Sequence, residues 1–164
     1  PCLVDHNELI SKVDGVFNGI VVESDFCKKS FFQGEGAGSQ PTATSVLSDI
    51  IDFSIKERKE KPKSKINIVK NTNILDRSGS FYLRFSTVDQ PGVISGITNE
   101  FKKNNISMKS MLQKDGISKE KKCATIVVTT HNCNEKDMMK ALKKINNLNF
   151  VVKKTTFIRI ENFK

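Results

Sequence analysis

Two glycine-containing turns hold the residues of this sequence that could bind a small anion. Residues 34–39 read Gly-Glu-Gly-Ala-Gly-Ser and lead into a predicted helix with Pro41 in its first turn. Residues 89–93 read Asp-Gln-Pro-Gly-Val and lie between a predicted strand and a predicted helix. Backbone N–H groups at the start of a helix attract anions, because they lack intrahelical acceptors and the helix dipole is positive there. Each turn also has a purely structural interpretation, since glycine permits a positive φ.

The first turn nearly matches a dinucleotide-binding fingerprint but departs from it in three places. Ser39 stands where the last glycine belongs, and Pro41 displaces the start of the helix. The strand predicted at 66–69 is followed by Lys-Asn-Thr rather than by the acidic residue that binds a ribose. We therefore expect no self-contained Rossmann unit, and we interpret residues 34–39 as a loop whose backbone approaches another group closely.

The remaining reactive side chains have no spacing that indicates catalysis or metal binding. The four cysteines form no CxxC pair, so we expect free thiols in a reducing compartment, which favours the cytosol. His131 and Cys133 have no further ligand at metal-binding spacing, and we expect no metal. Asp49 and Asp52 are at helical spacing, which is more typical of caps or solvated faces than of an acid–base pair. Ser45 lies in a predicted helix without a positioned histidine, so nucleophilic catalysis has no support.

Length and charge indicate how the chain is organised. Its 164 residues are about the length of one typical domain and carry a net charge of +9. The charge balance is −4 over residues 1–60 and +13 over residues 61–164, which indicates two units. Residues 61–78, which begin Lys-Pro-Lys, are interpreted as the linker. No apolar run approaches the roughly 18 residues of a membrane helix, so we expect no membrane segment. The chain begins at Pro1 without a leader, so we expect an excised piece of a longer protein.

The first 60 residues predict too few elements for a complete core. The patterns indicate strands at 16–22 and 28–33 and a helix at 42–59, with Ser39 or Gln40 as its cap. The helix has apolar side chains on more than one side, which is typical of a helix buried between layers. Two strands cannot supply those layers. We therefore expect cover from sequence outside this chain or from a second copy of it.

Residues 1–60 resemble the C-terminal part of the homoserine dehydrogenase catalytic region. The resemblance rests on Gly-Val-Phe-Asn at 15–18, the glycine turn with Pro-Thr-Ala at 41–43, and Ser-Val-Leu-x-Asp-Ile at 45–50. That family interconverts homoserine and aspartate 4-semialdehyde with NAD or NADP. No segment matches its nucleotide-binding fold or catalytic lysine, so we expect no catalytic residue in this chain and no NADPH oxidation by it alone. The resemblance implies that the residues near the cofactor are Gly38, Gly36 and Ala37.

The second half predicts a complete small domain of strands and helices. The order strand-helix-strand-strand-helix-strand is the ferredoxin-like arrangement, an antiparallel sheet with two helices on one face. The fold class is therefore α+β, with partial catalytic-domain strands and a helix followed by a ferredoxin-like βαββαβ domain. The four predicted strands are 81–88, 106–114, 123–130 and 150–160.

This topology also occurs in RNA-binding domains, so the fold alone does not decide the function. RNA recognition on such a sheet needs exposed aromatic side chains on the central strands. The third strand, residues 123–130, has none, and most lysines fall in predicted loops and on helix surfaces. We therefore expect no nucleic-acid partner, and a ferredoxin-like RNA-binding domain is the less favoured alternative.

The turn at 89–93, together with Ile106-Ser107 and Gln113, resembles the ACT domain over about residues 79–162. ACT domains are regulatory modules that commonly bind amino acids. The turn would offer helix N–H groups to a carboxylate and the Asp89 side chain to an ammonium group. The structural alternative is a turn that serves packing only. The residues that we expect to bind the effector are Asp89, Gln90, Pro91, Gly92, Val93 and Gln113.

Together the two resemblances imply the C-terminal regulatory portion of a homoserine dehydrogenase. It comprises a catalytic-domain piece at 1–60 and an ACT domain at 79–164, with threonine as the effector that family membership implies. The alternative is a stand-alone amino-acid-binding module. We expect a cytoplasmic homodimer that associates through the ACT sheets and helix 42–59, because exposed sheet edges and apolar helix faces need cover.

Overall fold

Residues 1–55, 72–115 and 123–163 are described by the structure, which is a computed structural model. Short 3-10 helices occupy Leu9–Lys12 and Ile74–Asp76. The mixture of helices and strands confirms the predicted fold class. In chain order the strands and helices are β1 (Cys2–Val4), β2 (Phe17–Ser24), β3 (Lys28–Glu35), α1 (Ser39–Ile55), β4 (Ser78–Val88), α2 (Val93–Lys103), β5 (Met108–Asp115), β6 (Cys123–Thr130), β7 (Cys133–Asn134), α3 (Glu135–Ile145) and β8 (Val151–Glu161).

The chain forms two compact units, and one of them is assembled from two separate stretches of sequence. The N-terminal unit is Asp5–Val69, and the C-terminal unit combines Pro1–Val4 with Lys70–Lys164. Strand β1 therefore belongs to the C-terminal unit, an arrangement that the sequence analysis did not anticipate when it assigned residues 1–60 to one domain. Residues 61–71 of the predicted linker lie outside the described part of the chain.

The C-terminal unit is built on one sheet with the strand order β1-β8-β4-β6-β5. Strand β4 is antiparallel to both of its neighbours, β6 and β8, and the short strand β7 pairs with its first residues. Strand β1 lies parallel to β8 and forms one edge of the sheet, while β5 forms the other. Strands β4, β5, β6 and β8 and the two helices α2 and α3 follow the predicted ferredoxin-like order.

The core of this unit lies between one face of the sheet and the two helices. Phe81, Leu83 and Phe85 alternate along β4 and are fully buried, as their period of two predicts. Helices α2 and α3 each bury one stripe of side chains against that face. The helix residues of the core are Val93, Ile97, Phe101, Met138, Ala141, Leu142 and Ile145.

The second strand of the domain begins at Met108, not at Ile106 as predicted. Helix α2 ends in a left-handed turn, because Asn105 adopts φ +54°. The N–H of Ile106 then donates to the carbonyl of Phe101 at 2.9 Å, which closes the helix in a Schellman motif. Ile106 is buried as the hydrophobic residue of this cap and is not yet part of the strand.

The described part of the N-terminal unit is a hairpin of β2 and β3 followed by α1. The predicted helix start and cap are wrong, since α1 begins at Ser39. Gly38 precedes it with φ +127°, and its carbonyl accepts hydrogen bonds from the N–H and Oγ1 of Thr42 at 3.3 and 2.7 Å. The helix ends at Ile55, and residues 56–59 of the prediction lie outside the described part.

Helix α1 exposes most of its apolar side chains. Among the described residues it buries none, although apolar groups occur on several sides of it. Apolar side chains on several sides of α1 are the reason why we expect a partner that covers this helix. Within the residues that the structure describes, no helix combines the length and apolarity needed to cross a bilayer. The exposed large apolar residues of α1 are Val46, Leu47, Ile50, Ile51, Phe53 and Ile55.

Substitutions of two adjacent methionines can test which face of α3 packs against the sheet. Met138 is fully buried and Met139 is 44% exposed. We expect Met138→Ala to lower the free energy of unfolding of the C-terminal unit by about 2–5 kcal/mol, because it leaves a cavity in the core. The control Met139→Ala should change it by less than about 0.5 kcal/mol. Urea unfolding followed by circular dichroism measures both, and equal effects would contradict the assigned helix face.

Candidate functional site

A cavity of about 480 Å³ lies where β4 ends and α2 begins. Its wall is formed by the last residues of β4, the turn that follows, the first residues of α2, and parts of β5 and β6. All six residues predicted to bind an effector line this cavity, so the structure brings them together at one place. The lining residues are Thr87, Val88, Asp89, Gln90, Pro91, Gly92, Val93, Ile94, Gln113, Ala124 and Ile126.

The start of α2 lines the cavity, and its first backbone N–H groups have no acceptor among the described residues. Gly92 is the residue that caps the helix, and its φ of +92° lies in the left-handed region that glycine tolerates. No side chain caps the helix, and the first intrahelical bond runs from the Gly96 N–H to the Gly92 carbonyl at 2.9 Å. Among the described residues, the N–H groups of Gly92, Val93 and Ile94 have no hydrogen-bond acceptor. They can therefore donate to an anion.

The rest of the wall combines one carboxylate, one amide and an apolar surface. Asp89 is exposed and forms no ion pair or hydrogen bond with another described residue. Gln113 reaches the cavity from β5 and is exposed as well. Val93 and Ile126 are buried and contribute apolar surface. The site therefore offers N–H donors, an acidic acceptor and an apolar patch, the groups that can bind a small zwitterion.

One hydrogen bond links two strands at the cavity, and a second lies at the opposite end of the β5–β6 pairing. The Thr87 hydroxyl, which is fully buried, donates to the carbonyl of Ala124 at 3.4 Å and links β4 to β6. The His131 N–H donates to the carbonyl of Ser107 at 2.9 Å, which links the segment before β5 to the end of β6. Ser107 belongs to the segment that resembles the ACT domain, and its backbone carbonyl accepts this hydrogen bond.

Five lining residues were missed by sequence reasoning. The alternation of small and β-branched residues along β6 does place Ala124 and Ile126 on one face. It does not show that this face meets the end of β4, because that depends on how the strands pair. The missed residues are Thr87, Val88, Ile94, Ala124 and Ile126.

The three residues expected near a cofactor lie in the N-terminal unit, in the turn between β3 and α1. The Gly36 N–H donates to the carbonyl of Val16 at 2.8 Å. A Cβ on Gly36 would collide with the side-chain amide of Asn18, so this glycine has a local packing reason. Gly38 has a φ of +127°, a backbone conformation that other L residues rarely adopt. Ala37 is exposed. Asn18 approaches the backbone of this loop closely at Gly36, and the cofactor contact expected for the loop stays a prediction.

The cysteines and histidines form no metal site within the part of the chain that the structure describes. All four cysteines are free thiols. Burial raises the pKa of the Cys133 thiol; the hydrogen bond with Thr130 opposes this in part, and the Asp137 carboxylate adds a smaller effect that raises the pKa. Cys133 is therefore a neutral, partly buried thiol at neutral pH, which is a poor metal ligand.

Two family models match the chain. Residues 1–51 match the homoserine dehydrogenase model, and residues 81–150 match the ACT domain model. Both matches confirm the resemblances drawn from the sequence. The second match contains the turn and most of the strands that form the cavity.

Curated relatives and a solved structure that resemble this chain are also homoserine dehydrogenases. The chain is 36% identical to a homoserine dehydrogenase of Helicobacter pylori and 32% identical to one of Neisseria gonorrhoeae, each over 99% of this chain. A crystal structure of a homoserine dehydrogenase from Thiobacillus denitrificans superimposes with a TM-score of 0.84 at 29% identity, over 99% of this chain and 38% of that one. The chain spans 38–39% of the length of the two curated relatives and resembles their C-terminal part.

Gly92 at the site and Gly34 on β3 of the N-terminal unit distinguish the effect of backbone conformation from that of steric space. A Cβ would meet nothing within 4 Å at either Gly92 or Gly34, but only Gly92 has a positive φ. We expect Gly92→Ala to lower the free energy of unfolding by about 1–2 kcal/mol, because an L residue is strained there. The control Gly34→Ala should be close to neutral in thermal melting. A neutral Gly92→Ala would show that the turn does not require the left-handed backbone.

Proposed function

We propose that the C-terminal unit binds free threonine in its cavity and thereby regulates a homoserine dehydrogenase of which this chain is the C-terminal portion. One observation carries the proposal: N–H groups and a carboxylate that have no partner among the described residues belong to residues that line the same cavity. The matched ACT family model supports amino-acid binding at this place.

The chemistry of an amino acid complements the groups in this cavity. Its carboxylate would accept hydrogen bonds from the N–H groups of Gly92, Val93 and Ile94, where the helix dipole favours negative charge. Its ammonium group would lie near the Asp89 carboxylate. For threonine, the hydroxyl would be within reach of the Gln113 amide and the methyl group would contact apolar wall residues such as Ile126. A volume of about 480 Å³ is within the range of small-molecule sites.

The activity that we propose for the whole protein is the NAD- or NADP-dependent interconversion of homoserine and aspartate 4-semialdehyde. The nicotinamide cofactor supplies or accepts the hydride in such a reaction. In this chain Ala37 and Gly38 would meet the cofactor, because their turn is exposed, whereas Asn18 already occupies the space beside Gly36. The chain alone is expected to be inactive, since no segment of it matches the family's catalytic lysine.

We also propose a cytosolic homodimer that forms through the open edge of the C-terminal sheet. The opposite edge is the three-residue strand β1, whereas β5 is an eight-residue strand with no strand beside it within the described residues. Met111 and Leu112 on β5 are 45% and 52% exposed, which is unfavourable for a free edge. Because Gln113 lies on the same strand, a second copy at this edge would border the cavity. The apolar residues of α1 would add to the contact.

The free thiols support the cytosolic location.

Threonine binding is tested by isothermal titration calorimetry on the 164-residue chain, against serine, isoleucine, methionine, lysine and a short RNA. We expect threonine to bind most tightly and RNA not to bind. Asp89→Asn should weaken threonine binding by about tenfold or more, because a hydrogen bond to a charged group contributes about 1.5–3 kcal/mol.

Asp137→Asn is the matched control, since Asp137 is an exposed carboxylate that pairs with Lys140 on α3 and does not line the cavity. It should bind threonine as the unmodified chain does. Binding of another amino acid in preference to threonine would overturn the choice of effector. If no amino acid binds, the turn serves packing only, and RNA binding would favour the alternative function.

The dimer is tested by sedimentation velocity at micromolar concentration. We expect Leu112→Lys to give monomers, because it places a charge at the centre of the proposed edge contact. The control Val152→Lys alters an apolar residue of similar exposure, 46%, on a strand away from that edge and should remain dimeric. A dimeric Leu112→Lys protein would contradict an interface at β5.

A further inference from the structure

Among the described residues that line the cavity, Thr87 alone carries a hydroxyl group, and it is fully buried. Its Oγ1 lies 3.4 Å from the carbonyl oxygen of Ala124. This contact is long, since hydrogen bonds between a hydroxyl and an oxygen are usually about 2.7–2.8 Å. Buried hydroxyl groups are normally well bonded, because they have lost their bonds to water. The Thr87 hydroxyl can therefore bond a further group that enters the cavity.

The pairing of three strands places Thr87 and Gln113 on the same face of the sheet. Thr87 of β4 lies opposite Ala124 of β6, and Gln113 of β5 lies opposite Ile126 of β6. Side chains that lie opposite each other in a sheet are on the same side of it. Ala124 and Ile126 are both buried, and Ile126 belongs to the core that the sheet shares with α2 and α3. Strand β6 separates β4 from β5, so the backbones at the two polar residues are about 10 Å apart across it.

A small residue leaves room between these two polar side chains. Ala124 lines the cavity, and its side chain is a single methyl group. The buried part of the wall is otherwise apolar at Val93 and Ile126. A hydroxyl group that enters this part loses its bonds to water, which is unfavourable unless a partner replaces them. Thr87 is the buried residue of the wall that can be this partner.

The backbone beside Thr87 is held on both sides. The Val88 N–H donates to the carbonyl of Phe150 at 2.9 Å, and Val88 lies opposite Cys123 in the pairing of β4 with β6. Threonine is β-branched, so its side chain has few accessible rotamers. The hydroxyl hydrogen can turn away from the Ala124 carbonyl by rotation about the Cβ–Oγ1 bond alone. Bonding a ligand therefore requires no rearrangement of heavy atoms at Thr87, which reduces the free-energy cost of binding.

We propose that Thr87 makes the cavity select an amino acid with a hydroxyl on its β-carbon over the apolar amino acid of the same shape. This inference rests on the proposed function, since it requires an amino acid in the cavity. The hydroxyl of bound threonine lies between Oγ1 of Thr87 and the Gln113 amide, and its methyl group contacts Ile126. Free valine has a methyl group in place of that hydroxyl, so it leaves Thr87 with the 3.4 Å contact alone.

Isothermal titration calorimetry of the 164-residue chain, with threonine and with valine as ligands, tests this assignment. We expect the unmodified chain to bind threonine about tenfold or more tightly than valine, because valine loses a buried hydrogen bond. Thr87→Val keeps the shape of the side chain but removes Oγ1, so it should bring the ratio of the two affinities close to one. Thr87→Ser keeps the hydroxyl and should retain the preference for threonine.

Thr130→Val is the matched control, since it removes the hydroxyl of another threonine that is fully buried. Thr130 lies on β6 but does not line the cavity. Its Oγ1 accepts from the Phe81 N–H at 3.1 Å, so the variant should unfold at a lower temperature in thermal melting. The ratio of threonine to valine affinity should stay that of the unmodified chain.

The outcomes distinguish the role of Thr87 from the proposed function. A threonine preference that survives in Thr87→Val, or that is lost in Thr87→Ser, would overturn the role of Thr87 and leave the proposed function intact. Equal binding of threonine and valine by the unmodified chain would do the same, and this measurement needs no variant to fold. Absence of binding by any amino acid would overturn the proposed function and this inference with it.

Discussion

The left-handed conformation of Gly92 is the constraint on which the geometry of the cavity depends. It turns the chain from β4 into α2 at the cavity, where the N–H groups of Gly92, Val93 and Ile94 have no acceptor within the part of the chain that the structure describes. A side-chain cap would satisfy one of these groups and typically stabilises a helix by about 1 kcal/mol. Helix α3 has such a cap, in which Asn134 accepts from the Lys136 N–H at 2.9 Å. In the proposed function, the carboxylate of the bound amino acid takes the place of this cap on α2.

An uncapped helix start needs support elsewhere, and α2 obtains it from packing and from its other end. Val93, Ile97 and Phe101 are buried against the sheet, and the Schellman motif at Asn105 closes the C-terminus. Lys102 and Lys103 in the last turn oppose the negative end of the helix dipole. Packing and the C-terminal cap therefore stabilise the helix, although its first N–H groups have no acceptor among the described residues.

Charge in the C-terminal unit is used in two different ways. Most lysines lie on exposed surfaces, whereas the ion pair of Arg159 with the buried Glu135 orients the end of β8. The hydrogen bonds to Glu135 raise the pKa of Arg159, so the guanidinium remains charged. Its guanidinium carbon also lies 5.7 Å from the centre of the Phe157 ring. A buried pair of this kind contributes orientation more than net stability, because desolvation offsets much of its attraction.

The sequence by itself determined the periodic elements and the turn at 89–93, whereas Gln113 on β5 was expected only from the resemblance to the ACT domain. Phe81, Leu83 and Phe85 identify β4 through their alternation, and the residues at 89–93 are neighbours along the chain, so short-range chemistry is enough. Tertiary structure alone decided that Ala124 and Ile126 complete the wall and that β1 joins β8. Strand register is set by contacts between residues far apart in sequence, and a strand of three residues is too short to carry a periodic signal.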